Sequence, residues 1–113
     1  MIADCLFCQI ASEEIPADIV ARNDDAIAFR DLNPQAPTHV LIISISHIDS
    51  AADLGTVDGA IAGLFELAAS VAEAENLDGG WRLVTNVGPD AGQTVHHLHF
   101  HLLGGRQMGW PPG

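Results

Sequence analysis

The sequence predicts an α+β domain: a five-stranded antiparallel sheet with one long helix and a short N-terminal helix. Three observations predict it. Short apolar-rich segments recur between turn signals. One long segment carries apolar residues at spacings of three and four. Most neighbouring strand candidates are joined by hairpin-length connections, which favour antiparallel pairing. At 113 residues the chain reads as one domain, residues 1–113, long enough for a small core of its own.

Each element has its own reason. "CLFCQIASEEI" reads as a short helix or turn ended by Pro16, which cannot extend a helix interior. "ADIVAR" and "AIAFRDL" are apolar runs split by "NDD", a hairpin signal. "NPQAPTH" is a loop because of its two prolines, and "HVLIISIS" is a β-branched strand. The long helix is "TVDGAIAGLFELAASVAEAEN". Val57, Ile61, Leu64, Phe65, Ala68, Val71 and Ala72 mark its apolar stripe, Thr56 its N-cap, and Asp58 suits its first turn. Gly79 and Gly80 end that segment. "WRLVTNV" is the next strand, "GPDAGQ" a glycine-rich turn and "TVHHLHFHLL" the last strand; the tail "GGRQMGWPPG" is irregular. An open face or edge of such a sheet invites dimerisation.

Composition narrows the function. Nearly half the residues are apolar, which excludes a disordered chain. No window approaches the roughly 18 apolar residues of a membrane span, and "MIADCLFCQI" lacks the features of a secretory signal, so a cytoplasmic location is expected. The net charge of −11, with four Arg and no Lys, disfavours polymeric nucleic acid and anionic lipid as partners. A single phosphate group is not excluded, since backbone N–H groups, imidazoles or a metal hold one without a basic patch.

Four of the six histidines fall within "HHLHFH": His96, His97, His99 and His101. Strand alternation puts His97, His99 and His101 on one face, with neighbours roughly 6.5–7 Å apart. His96 shares the other face with Leu98, Phe100 and Leu102, at the strand's start where its tip can reach solvent. Three imidazoles in register point to metal binding or to nucleophilic or acid–base chemistry. His39 and His47, eight residues apart on the preceding strand, would stand roughly 26 Å apart if fully extended and so have different partners. The pair Cys5 and Cys8 is open to three readings: a redox C-x-x-C, a metal half-site, or two buried thiols. A thioredoxin-like βαβ context is missing, which argues against the first.

"HLHFHLL" fits the His-φ-His-φ-His-φ-φ pattern, where φ is apolar, and so resembles the histidine triad (HIT) superfamily. "DLNPQAPTHVLIIS", "GPDAGQTVHHLHFHLLGG" and "GRQMGWPPG" resemble its Hint branch, the purine nucleoside phosphoramidases, over nearly the whole chain. The resemblance implies a HIT-like fold whose dimer forms a continuous larger sheet. It also implies hydrolysis of a purine nucleoside 5′-phosphoramidate, an AMP or GMP conjugate, through a nucleotidyl-histidine. By position His99 is the nucleophile and His101 a phosphate-binding residue; His39 stands beside the triad. Gly92, Gln93 and Thr94 match the loop facing phosphate and leaving group, Asn86 a further contact and Asp31 the ribose acceptor. Leu6, Phe7, Ile10, Phe29 and Leu32 match the nucleobase pocket, and Trp110 a contact across the dimer. Thr94 stands where the branch more often has Ser, and Gly109 where well-known members have a larger residue.

Many triad proteins, and the related galactose-1-phosphate uridylyltransferases, resemble this chain in carrying C-x-x-C. Their zinc ligands match Cys5, Cys8, His47 and His97, which implies a structural zinc ion and none needed for the chemistry. The alternative is that His97 only supports His99 and both thiols are free. Two other functions stay open: a dinucleoside polyphosphate hydrolase on the same scaffold, or a nucleotide-binding regulatory or scaffold protein with residual activity.

Overall fold

Three antiparallel pairs of consecutive strands and a helix crossover build the sheet seen in the computed structural model, which describes residues 4–56 and 59–113. Strands β1 (Ile19–Arg22), β2 (Ala26–Arg30), β3 (Thr38–Ser44), β4 (Trp81–Val84) and β5 (His99–Gly104) form one sheet in the order β1-β2-β3-β5-β4, with antiparallel neighbours. Helix α1 spans Leu6–Ala11 and α2 spans Ala60–Ala74. No helix among the described residues is long and apolar enough to cross a membrane.

The β1–β2 turn is closed by Asn23, whose Oδ1 accepts the N–H groups of Asp25 at 2.9 Å and Ala26 at 2.8 Å. The Nδ2 of the same side chain donates to Gly63 O on α2 at 2.9 Å. A side chain at Gly63 would collide with Asp25, so the helix can approach this turn only through a glycine.

The sheet separates two apolar layers. On one face Ala26, Ala28, Val40, Ile42, Leu98, Phe100 and Leu102 meet Leu64, Leu67, Ala68, Val71 and Ala72 of α2. On the other, Ile27, Phe29, Leu41 and Ile43 meet Phe7, Ile10 and Ala11 of α1. Strand β3 is therefore buried along its whole length, which explains its unbroken apolar run.

Strands β2 and β4 end earlier than expected, at Arg30 and Val84, and three further boundaries differ with more consequence. Helix α1 stops at Ala11, well before Pro16, because Glu13 turns into the left-handed region (φ +66°) and its N–H bonds back to Ile10 O. Helix α2 begins at Ala60 with Gly59, φ +77°, as its N-cap rather than Thr56; Ala51–Thr56 form a separate 3₁₀ turn. The expected positions Val57 and Asp58 lie outside the described residues. With the helix so placed, Gly63 and Leu67 join the buried stripe, while Phe65 is 48% exposed and its ring lies tilted against Phe100.

The third difference bears on the site. The last strand starts at His99, not Thr94, because its partner β3 ends at Ser44 and the register runs out at Ile43 opposite His99. His96 and His97 thus precede the strand. Even so, His97 and His99 both contact Phe7 on the α1 side, whereas Leu98, Phe100 and Leu102 face α2 and His96 is exposed.

Candidate active site

The end of α1 brings two thiols to the approach of β5. Cys5 is the N-cap of α1 and its Sγ accepts the N–H of Cys8 at 3.4 Å; one turn of helix puts both sulfurs on the same side. His97 Nδ1 lies 3.3 Å from Cys5 Sγ and 3.5 Å from Cys8 Sγ. His47, past the end of β3, brings its Nδ1 to 3.3 Å from Cys8 Sγ. All four donor atoms lie within 4.8 Å of one another. A tetrahedral zinc site with bonds of about 2.3 Å to sulfur and 2.05 Å to nitrogen would separate S from N by about 3.6 Å.

The outer partners agree with that chemistry. His97 Nε2–H donates to Ser44 O at 2.6 Å, and His47 Nε2–H donates to Asp49 Oδ1 at 2.8 Å. Each imidazole therefore turns an unprotonated Nδ1 toward the sulfurs, the tautomer a metal ligand needs. Burial pushes the His97 pKa below the usual histidine value, keeping it neutral. The set fits a structural zinc ion with four protein ligands and no open position.

Beside it stands a second cluster built on β3 and β5. His99 Nδ1–H donates to His97 O at 2.6 Å, so its Nε2 carries the free lone pair. Burial lowers the His99 pKa, opposed by that hydrogen bond and by Asp31. His39 lies opposite Leu103 and diagonally across from His101, the distance at which long cross-strand side chains meet. Their rings are joined by Nε2 of His39 and Nδ1 of His101 at 2.9 Å. Because Gln35 N–H donates to His39 Nδ1 at 3.0 Å, the proton of neutral His39 sits on Nε2 and is given to His101. His101 then carries its own proton on Nε2, as a donor. Burial, then His99 and His39, push the His101 pKa down to about 4, so it donates as a neutral imidazole. Asp31 Oδ2 lies 3.4 Å from His39 Nε2.

Two cavities flank these histidines. Leu6, Phe7, Ile10, Phe29, Asp31 and Leu32 line one of about 260 Å³, the six residues singled out in the sequence for base and ribose. Phe7 also stands edge-on to His99, with ring centroids 5.0 Å apart, so the nucleophile candidate lies directly behind a residue of the cavity wall. Leu32 is fully exposed and sits at its mouth. His39, His101 and Asn86 line a second cleft of about 410 Å³, together with Arg82, Arg106 and the tail.

The glycine-rich loop is held more tightly than its sequence suggests. Gln93 Nε2 donates to Asp49 O at 2.9 Å and Val95 O at 3.2 Å, and its Oε1 accepts Gly88 N–H at 3.0 Å. Its amide therefore fastens the loop to the His47 segment instead of facing an open cleft. Gly92 (φ +89°) donates its N–H to Pro89 O. Thr94 is exposed, in a surface groove with Cys5 and His47. Trp110 is 84% exposed and lines neither cavity beside the histidines. Sequence reasoning missed Ser44, Asp49, Gln35 and Thr85, whose Oγ1 donates to His99 O at 2.8 Å. Only Asp49 left a trace, an acid two residues after a ligand histidine; Gln35 acts through its N–H, and Ser44 through its carbonyl with its hydroxyl 3.2 Å from the same His97 nitrogen.

Fold and site define a small α+β protein with a tautomer-locked histidine next to a closed Cys₂His₂ set. The chain belongs to the HIT domain family, whose profile matches residues 12–108. A HIT family hydrolase from Legionella pneumophila, of known crystal structure, is 50% identical with a TM-score of 0.93, over 97% of this chain and all of that one. A HIT-like protein of Synechococcus elongatus is 46% identical over the full length of both chains. A 14 kDa zinc-binding protein of Zea mays is 45% identical over 96% of this chain and 87% of its own.

Proposed function

We propose that this chain, read as one HIT domain, is a nucleotide hydrolase of the Hint type. It cleaves purine nucleoside 5′-phosphoramidates through a nucleotidyl-histidine. The observation that carries this reading is the 2.6 Å bond from His99 Nδ1–H to His97 O. It leaves Nε2 unprotonated on a ring packed against Phe7 and His101, which line the apolar cavity and the polar cleft respectively.

In this mechanism the base lies among Leu6, Phe7, Ile10, Phe29 and Leu32, and Asp31 accepts from the ribose. Nε2 of His99 attacks phosphorus, the P–N bond breaks, and its electron pair stays on the leaving nitrogen. That nitrogen takes up a proton, for which the hydroxyl of exposed Thr94 is the relay from solvent. His101 donates Nε2–H to a phosphoryl oxygen as charge develops there, held in that tautomer by His39. Gly92, Asn86 and Gln93 complete the phosphate and leaving-group side, Gln93 by fixing the loop. Water then attacks phosphorus, and the bond to His99 breaks, releasing the nucleotide. Cys5, Cys8, His47 and His97 would hold zinc, which when bound supplies only a rigid clamp between α1 and the approach to β5. His97 thereby acts on His99 through its carbonyl, not its ring.

The working unit in this reading is a homodimer. Strand β4 is an unpaired edge with Trp81 43% exposed, and Phe65 on α2 is 48% exposed. Pairing two β4 edges would extend the sheet and bring Trp110 toward the other subunit's cleft. The test is release of AMP from adenosine 5′-phosphoramidate by the wild type and by His99→Ala. The variant is expected to lose at least about a thousandfold. Equal rates would overturn the nucleophile.

A further inference from the structure

The segment that carries His99 is held by the main chain on one side and by a side chain on the other. On the β3 side, Ser44 N–H donates to Leu98 O at 3.3 Å, and Leu98 N–H donates to Ile48 O at 2.6 Å. On the β4 side the ladder falls short. The β4–β5 register ends with Val84 opposite His101; carried two residues further, it would set Asn86 opposite His99. Asn86 lies beyond the end of β4 instead and lines the cleft beside His101. The carbonyl of His99 therefore meets a strand that has already ended.

A carbonyl on a buried residue needs a donor. Thr85 supplies it, with Oγ1–H donating to His99 O at 2.8 Å, the usual length of a good O–H···O bond. Thr85 is half-buried and His99 is buried. One hydroxyl thus stands in for the N–H that a longer β4 would have offered, and the chain turns away at Asn86 without stranding the carbonyl. The branched side chain of threonine has few χ1 rotamers, which keeps the hydroxyl aimed.

This bond complements the one at the ring. His99 Nδ1–H is tied to His97 O at 2.6 Å, but His97 itself lies in the bend at residues 95–97, ahead of β5. The ring bond selects the tautomer. The Thr85 bond fixes the main chain from which the ring hangs. Thr85 lines neither cavity beside the histidines.

We propose that Thr85 is a positioning residue for the nucleophile: its hydroxyl closes the end of the β4–β5 ladder on the His99 carbonyl and so holds Nε2 on its line of attack. This rests on the nucleotidyl-transfer reading above. Thr85 acts through His99 and gives no proton to the reaction. Small displacements of a reacting atom are costly, so one remote hydrogen bond can govern the chemical step.

The experiment compares wild type, Thr85→Val and Thr85→Ser on adenosine 5′-phosphoramidate. Val keeps the branched shape and removes the donor; Ser keeps the donor. In Thr85→Val, kcat should fall about tenfold, the effect of leaving one buried acceptor unpaired. KM should stay within about twofold, since no residue lining either cavity has changed. Thr85→Ser should return most of the lost kcat. A second measurement needs no turnover: exchange of the His99 Nδ1 proton with water, followed by nitrogen-edited NMR. That proton should exchange about tenfold faster in Thr85→Val and recover in Thr85→Ser, because a looser main chain opens the bond to His97 O more often. A merely structural threonine would lower Tm and leave both kcat and the proton alone. Unchanged kcat, a loss that Ser does not restore, or unchanged exchange overturns this inference and leaves the nucleotidyl transfer standing. If Thr85→Val does not fold, Thr85→Ala takes its place with the same outcomes. No turnover by the wild type, or turnover that survives His99→Ala, defeats the underlying reading and this inference with it.

Discussion

Replacing Cys8 by Ser tests the metal site where its consequences are largest. Cys8 is 1% exposed, and its Sγ lies 3.3 Å from His47 Nδ1 and 3.5 Å from His97 Nδ1. The substitution removes the ligand that faces both imidazoles and leaves three donors around the ion. An ion present at about 100 times its dissociation constant stabilises the folded chain by about 2.7 kcal/mol. Unfolding entropy of about 2.1 cal/mol/K per residue, over 113 residues, amounts to about 0.24 kcal/mol/K. Losing the ion should therefore lower Tm by about 11 °C. The assay is metal content by atomic absorption, followed by thermal unfolding with and without chelator. Wild type should carry about one zinc per chain and lose stability to chelator; Cys8→Ser should carry almost none and ignore chelator. A metal-free wild type whose Tm equals that of the variant would refute the reasoning and restore the reading of two free thiols.

Two further outcomes follow from packing and charge. Folding depresses the His101 pKa from 6.5 to about 4, so below pH 6.5 the unfolded chain binds more protons. Stability should be full above pH 6.5 and erode as pH falls toward 4. A urea midpoint measured across that range should show the loss and a shallower slope in His101→Gln; identical slopes would remove His101 as a cause. Gly63→Val should destabilise by about 1–3 kcal/mol, since the new side chain meets Asp25 and must push α2 off the β1–β2 turn. A denaturation midpoint unchanged from wild type would show that the turn can yield.

The pattern "HLHFHLL" points to the family by resemblance alone, because three histidines alternating with apolar residues leave few other readings. Strand periodicity was enough to part His96 from the other three, even though the strand itself begins only at His99. The chain bends at residues 95–97, and His97 is nevertheless kept on the α1 side by Ser44 O, the two thiols and Phe7. Eight residues of separation likewise sent His39 and His47 to different partners, His101 and the thiols.

Helix limits were less certain from composition. Nothing local distinguishes Thr56 from Gly59 as the start of α2; the outcome depends on how close the helix must come to Asn23 and Asp25. Phe65 satisfies the stripe's spacing and still points partly to solvent, since the face turned to the sheet is centred on Leu64, Leu67, Ala68 and Val71 and leaves Phe65 at its margin.

What the sequence determined by itself was the fold class, from residue type and spacing, which act over one or two turns of chain. Its histidine and glycine motifs carried the resemblance to the family, and that resemblance implied the four zinc-type donors and the residues around the apolar cavity. What only the tertiary structure decided was which ring nitrogen bears each proton. Ser44 O, His97 O and Gln35 N–H set the tautomers of His97, His99 and His39. Main-chain groups look alike at every position in a sequence, so their aim is known only once the strands are in register. The same holds for Arg82 and Arg106, which lie 24 positions apart in the chain and line one cleft because β4 pairs with β5 and the tail folds back across them.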